Sequence, residues 1–353
     1  MKSTFARAGI FTIVVFLLFI AIWELTLRKK GYRISYDDSA TLWSYHRARV
    51  YEPQENTTVF IGSSRIKFDL DIPTWKKLTG EDAVQLAAVG STPFPFLIDL
   101  ANDPNFKGKL VVDITEPLYF SMAPPNTATP YECIKAFKNV TPSEKFSFGV
   151  SRRLESQFVF LNKEYLSLNS LLLRLKLPRR EKVFIFPYFP FGFKDTDFSR
   201  QERMLDFFIA DTSLQRAQQQ NWVTLIEASK AFPPPSPEQI EQTFAATKEA
   251  VNKIKSRGGK VIFVRTPSNN PMLGGEQMLY PRDKYWNRLL EETQSPGIHF
   301  QDYAETSHFI CPEWSHLTPA DAVIYTRHLV EQFRAKGWQF NQSNSAKQVA
   351  TKN

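Results

Sequence analysis

The chain has 353 residues, 42% of them hydrophobic, enough to bury one large core or two ordinary ones. Its net charge of +8 is dispersed, with a single tight run at Arg28-Lys29-Lys30. No helix-turn-helix, zinc or RNA-recognition signature accompanies that charge, so nucleic acid is not an expected partner. Two cysteines, Cys133 and Cys311, exclude a disulfide-dense scaffold and a four-cysteine zinc site, and leave open one disulfide or two free thiols.

Residues 8–27, AGIFTIVVFLLFIAIWELTL, form one apolar stretch interrupted only by Glu24. The length suits the roughly 20 residues that a helix needs to cross a bilayer core. The stretch is longer than the apolar part of a secretory signal, and it ends in Trp23 and then Arg28-Lys29-Lys30, as an uncleaved anchor with an interfacial aromatic would. Glu24 falls near the end of the span, within reach of the interface. Residues 1–30 are therefore read as a membrane anchor and 31–57 as a polar, aromatic juxtamembrane connector. Counted literally, the basic residues after the span outnumber those before it and lean toward a cytoplasmic carboxy-terminal domain, although long domains translocate largely regardless of such charge.

From residue 58 short apolar runs alternate with helical patterns. The runs are TVFIG (58–62), AVQLA (83–87), KLVVDIT (109–115) and KVIFVRT (260–266), each too short for a helix core. Continuous apolar runs of this kind suit strands of a parallel sheet buried on both faces. Between them, IPTWKKLTG follows an Asp and ends at Gly80, and residues 236–257 end at Arg257-Gly258-Gly259, as helices do. The alternation predicts an α/β domain over 58–340 with a doubly wound parallel sheet. The interval from about 120 to 232 breaks the rhythm. It is rich in Phe, Tyr and Pro, with YFPFGF at 188–193 and basic stretches around Arg152 and Arg179. It reads as a helical and irregular insertion that either shapes a substrate groove or forms a satellite aromatic core. The polar tail 341–353 is expected to be disordered.

Two local patterns carry chemistry. In Val59-Phe60-Ile61-Gly62-Ser63-Ser64-Arg65 an apolar strand runs into Gly-Ser-Ser and then into residues that can open a helix. Ligands of open α/β sheets bind at the carboxyl ends of strands, so a serine here projects into the expected crevice. The free N–H groups of a following helix would face a developing oxyanion there. The second pattern is Glu313-Trp314-Ser315-His316-Leu317-Thr318-Pro319-Ala320-Asp321. Thr318, Pro319 and Asp321 make a helix start, which holds His316 just before a positive dipole end that favours the neutral, proton-accepting ring. Glu313 can orient that ring through its other nitrogen.

The order of these segments resembles the SGNH (GDSL-like) superfamily of hydrolases and acyltransferases. Gly62-Ser63-Ser64 takes the place of the family's Gly-Asp-Ser, with Ser64 as the nucleophile, and Glu313-Trp314-Ser315-His316 that of its Asp-x-x-His. Gly90, in Leu86-Ala87-Ala88-Val89-Gly90-Ser91, matches the glycine of the second block. The resemblance covers about residues 57–118 and 236–335. It implies a three-layer, flavodoxin-like α/β/α sheet, a Ser64–His316–Glu313 triad, and an oxyanion hole from the N–H groups of Ser64 and Gly90. It also implies a serine esterase or O-acyltransferase acting on an acylated glycan or a small ester. The anchor ahead of such a domain resembles bacterial envelope proteins. That implies a single pass through the inner membrane with the domain outside the cytoplasm, against the charge count. Two departures stand out: the third block, Asp113-Ile114-Thr115-Glu116, lacks the family's Asn, and the triad acid is Glu. They leave room for a non-catalytic binding or scaffold protein of the same fold. Arg65 and Arg265, both near strand ends, are expected to bind an anionic substrate group, the alternative for Arg265 being a salt bridge to Asp113 or another strand-end carboxylate. His46, His299, His308 and His328 have no metal-ligand spacing, and neither a metal nor another cofactor is expected.

Overall fold

The computed structural model describes residues 2–175 and 184–340, so the expected disordered tail and the stretch around Arg179 lie outside the described residues. Two compact units divide the chain, one made of Met1–Asp37 and Pro142–Glu181, the other of Asp38–Thr141 and Lys182–Asn353.

The second unit is α/β. Its sheet has five parallel strands: β1 (Thr57–Ile61), β2 (Asp82–Gln85), β3 (Lys109–Asp113), β6 (Lys260–Arg265) and β7 (Gly297–His299), in the order β2-β1-β3-β6-β7. Two residue pairs, β4 (Asp195–Thr196) and β5 (Glu202–Arg203), form a separate antiparallel hairpin. Alternate side chains of the main strands enter different apolar layers. Val59, Ile61, Leu110, Val112 and Phe263 join one cluster with the helices Phe94–Asn102 and Pro237–Ser256. Phe60, Val111, Ile262, Val264 and Ile298 join another with the helices Ile72–Thr79 and Pro319–Ala335. Both faces are covered, which is why the strands read as unbroken apolar runs. Each buried Val, Ile or Phe contributes about 1.5–3 kcal/mol.

Helix punctuation follows the sequence closely. Asp71 caps Ile72–Thr79 by accepting Thr74 N–H at 2.8 Å, and Gly80 closes it at φ 73°, in the left-handed region where a side chain would be strained. Ser236 and Gln239 form a reciprocal capping box at the start of Pro237–Ser256.

Two expectations change, and one left open is resolved. Residues 38–57 are not a free connector, because the helix Ala40–Ala48 buries Leu42 and Trp43 and packs on the helix Pro124–Lys138 of the α/β unit. The interval 120–232 is not one insertion: residues 142–181 group with the amino-terminal helix and the remainder with the sheet. Cys133 and Cys311 are both buried, unpaired thiols.

The first unit contains the helix Lys2–Lys29, whose segment Thr4–Lys29 is long and apolar enough to cross a membrane by length and composition. Glu24 does not reach outward: it is buried, and its carboxylate accepts the backbone N–H groups of Val159 at 2.9 Å and Phe160 at 3.1 Å.

Candidate active site

Strand β1 ends at Ile61, and the turn that follows at Gly62 leaves no room for a side chain. A Cβ on Gly62 would lie 2.6 Å from Ile66 Cγ2 and 2.7 Å from Asp113 Cβ. Ser63 then caps a six-residue helix, Ser64–Asp69, by accepting Arg65 N–H at 3.4 Å, and its hydroxyl pairs with that of Thr115 at 3.0 Å. Ser63 is thus buried and engaged, while Ser64, the first residue of the helix, is half-buried at the carboxyl end of β1. Of the two hydroxyls, Ser64 is the more accessible. Ligands of open α/β sheets bind outside the carboxyl ends of the strands, and Ser64 stands at that end of β1, whose sheet neighbours are β2 and β3.

The other half comes from the segment before Pro319–Ala335. Thr318 caps that helix by accepting Asp321 N–H at 3.2 Å. His316, only 1% exposed, places Nε2 at 2.8 Å from Ser64 Oγ and Nδ1 at 3.0 Å from Glu313 Oε1. An ionised carboxylate only accepts hydrogen bonds, so Nδ1 carries the hydrogen and Nε2 is left to accept from the serine hydroxyl. All three residues of the expected triad therefore meet in one hydrogen-bonded chain. Trp314, between acid and base, has φ 78°, a left-handed conformation that costs a non-glycine residue about 1–3 kcal/mol. The turn lets Glu313 Oε1 also accept the N–H groups of Ser315 at 3.3 Å and His316 at 2.7 Å.

Neighbouring elements hold this loop from several sides. Arg65 Nε donates to Ser315 Oγ at 3.2 Å, and Asp69 Oδ1 accepts Leu317 N–H at 2.9 Å, so the helix that begins at Ser64 grips the residues on either side of His316. Asn269, just past β6, donates its N–H to Trp314 O at 2.9 Å and accepts Cys311 N–H. The helix Thr212–Ser229 contributes Gln219, which donates to Pro312 O at 3.0 Å, and Trp222, whose indole N–H bonds Glu313 Oε2. Phe68 lies against the His316 ring at a centroid distance of 4.4 Å, with Phe193 at 5.8 Å and Trp222 at 5.9 Å. These rings cover the His316 imidazole, which is 1% exposed. Trp222, Asp69 and Asn269 escaped the sequence reading, since no spacing links them to Glu313 or His316.

Gly90 lies in the turn after β2 with φ 60°, and its backbone is exposed. Ala88 N–H in the same loop donates to Gly62 O at 3.2 Å, which ties the loop of Gly90 to the turn before Ser64. In the third block Thr115 is committed to Ser63. Asp113 is fully buried, accepts Thr266 Oγ1 at 3.0 Å through Oδ1, and has no partner for Oδ2. Burial pushes its carboxyl up to about 6, against the lowering pull of Arg65 and Arg265.

The expectation for Arg65 and Arg265 is corrected. Each is 2% exposed, and both bond the buried carboxylate of Glu276. Arg265 Nε also sits 3.0 and 2.9 Å from the two oxygens of Glu116. Glu276 further accepts Ser268 Oγ at 3.0 Å. Burial alone would raise Glu276, but the two guanidiniums hold it at about 2. With their charges neutralised inside the fold, neither arginine is presented to a substrate. The acids that pair with Arg265 are Glu116 and Glu276, and Asp113 accepts from Thr266 instead. A concavity of about 520 Å³ lies at the opposite, amino end of the strands, lined by Tyr51, Gln54, Lys107, Lys109 and Lys260 among others. It brings no nucleophile to a base.

No protein-family model matches this chain, and no curated protein sequence matches it.

Proposed function

We propose that this chain is a membrane-anchored serine esterase or O-acyltransferase of the SGNH type, working through Ser64, His316 and Glu313. The observation that carries the reading is the continuous chain from Ser64 Oγ to His316 Nε2 (2.8 Å) and from His316 Nδ1 to Glu313 (3.0 Å), at the carboxyl end of the first strand. Hydrogen-bond contact between nucleophile, base and orienting acid is what acyl transfer needs.

In this reading Ser64 Oγ attacks the carbonyl carbon of an acyl ester as His316 Nε2 takes its proton. The oxyanion is held by the N–H groups of Ser64 and Gly90. Its collapse expels the alcohol, which receives the proton back from His316 and leaves the acyl group on Ser64. A second hydroxyl, deprotonated by His316, then attacks the acyl-serine. Water as acceptor gives hydrolysis, and a sugar hydroxyl gives O-acyl transfer. Glu313 orients His316 and stabilises the imidazolium form.

The absent third-block Asn favours the rival reading, a non-catalytic scaffold, and removal of one oxyanion donor typically costs on the order of 100- to 1000-fold in rate. The engaged triad weighs against that rival, because a fold kept only for binding has no need of a base within hydrogen-bond reach of Ser64. A slow hydrolase or a transferase fits both facts. The apolar helix Lys2–Lys29 supports a single-pass anchor. We place the catalytic unit outside the cytoplasm, on the inner membrane, with an acylated envelope glycan as substrate.

The test is turnover of an activated acyl ester by the purified chain, with and without a sugar acceptor. Ser64→Ala and His316→Ala are each expected to abolish acyl release. Wild-type chain that neither hydrolyses nor transfers the acyl group would favour the scaffold reading.

A further inference from the structure

The amino-terminal helix is bare along nearly its whole length, and where it is covered is informative. Among its described side chains only Glu24 and Leu27, three residues apart on one stripe, are buried. The cover comes from residues 157–161 of the same compact unit. Glu24 accepts the N–H groups of Val159 and Phe160, and Arg28 donates to Gln157 O at 2.9 Å. This docking level lies within about the last two turns of the apolar segment, next to Arg28-Lys29-Lys30, where a spanning helix leaves the hydrocarbon.

The elements flanking that level carry unpartnered apolar surface. The helix Pro142–Glu155 exposes Phe146 (76%), Val150 (45%) and Leu154 (46%), at i, i+4 and i+8 on one face. The helix Leu168–Leu173 exposes Leu168 (73%), Leu171 (45%) and Leu172 (49%). A water-facing surface rarely keeps this much large apolar side chain together without something covering it. Lys145, Arg152 and Arg153 lie on the same helix as the first stripe, the composition of a helix resting on a lipid surface.

We propose that residues 142–175 lie in the headgroup–acyl boundary of the bilayer crossed by Lys2–Lys29, with Phe146, Val150 and Leu154 inserted into lipid. The inference rests on the reading of Lys2–Lys29 as a membrane span. What argues for lipid as the occupant is continuity: the segment is tied by hydrogen bonds to the end of that helix, so a membrane around the helix necessarily reaches it. An interfacial helix sinks about 5–10 Å into this boundary.

The full chain, reconstituted in phosphatidylethanolamine–phosphatidylglycerol vesicles, tests this with an environment-sensitive fluorophore on single introduced cysteines. Phe146→Cys, Val150→Cys and Leu154→Cys report the stripe, Leu17→Cys the middle of the span, and Glu249→Cys, an exposed position of the α/β unit, serves as the water control. Cys133 and Cys311 are buried and stay unlabelled. The expected result is blue-shifted emission at 146, 150 and 154, quenched more strongly by nitroxides near the headgroups than by nitroxides at the acyl ends. Leu17→Cys should show the reverse depth order, and Glu249→Cys should not be quenched. Unquenched stripe positions beside a quenched Leu17→Cys would overturn the proposal and leave the anchor standing. A blue shift without lipid quenching would put protein on that face and overturn it equally. An unquenched Leu17→Cys would remove the span and the inference together.

Discussion

Trp222 donates its indole N–H to Glu313 Oε2, the carboxylate oxygen turned away from His316. Glu313 is completely buried, and its other oxygen is occupied by His316 and by backbone of its own loop. Trp222 therefore holds the Glu313 carboxylate from a position 91 residues away in sequence.

Trp222→Phe keeps most of the ring but leaves Glu313 Oε2 buried without its donor. A hydrogen bond to a charged group is worth about 1.5–3 kcal/mol, so kcat is expected to fall about 10- to 100-fold with KM nearly unchanged. A loss confined to KM would reduce Trp222 to a packing residue.

Much of this site is legible along the chain, and the illegible part has a common cause. Ser64, Glu313, His316 and the cap at Thr318 declare themselves through local rules: an apolar strand into Gly-Ser-Ser, an acid three residues before a histidine, a helix start. Strands β1, β3 and β6 were visible because burial on both faces leaves an unbroken apolar run at the centre of each. Strand β7 has only three residues, too few to show a period. The helix Ala40–Ala48 was hidden because its core contribution rests on Leu42 and Trp43 within an otherwise polar segment. Trp222 sits in a Gln-rich helix with no apolar stripe, and its partner is set by tertiary packing alone. The fate of Arg65 and Arg265 depended on Glu276, which enters a different helix and is 211 residues from Arg65.

Glu276 balances two buried guanidiniums, so its removal leaves uncompensated charge in the core. Glu276→Gln is expected to destabilise the chain by about 3–5 kcal/mol in chemical denaturation. At a denaturant-free temperature where it remains folded, its KM should match the wild type, since Arg65 and Arg265 do not meet substrate. A raised KM with unchanged stability would restore a substrate-binding role to the arginines.

Asp113 gives a pH signature of defined sign. Burial raises its carboxyl from an ordinary 3.8 to about 6, so the fold prefers the protonated form. That contribution is full below the unfolded value and is lost as pH rises through about 6. Asp113→Asn fixes the neutral form, and its stability relative to wild type is expected to grow between about pH 4 and pH 7, by on the order of 3 kcal/mol. Asp69, raised by burial and further by the charge of Asp113, titrates in the same direction and adds to the difference between the two chains. A difference independent of pH would contradict the buried, unpartnered Asp113 Oδ2.

The central claim is that Ser64, and not its neighbour Ser63, is a nucleophile activated by His316. Its most direct test is mass-spectrometric mapping of a fluorophosphonate adduct on the detergent-solubilised full chain. The account predicts an adduct on Ser64 in the wild type and in Ser63→Ala, and none in Ser64→Ala. Labelling that survives Ser64→Ala, or an adduct found on Ser63, would contradict it.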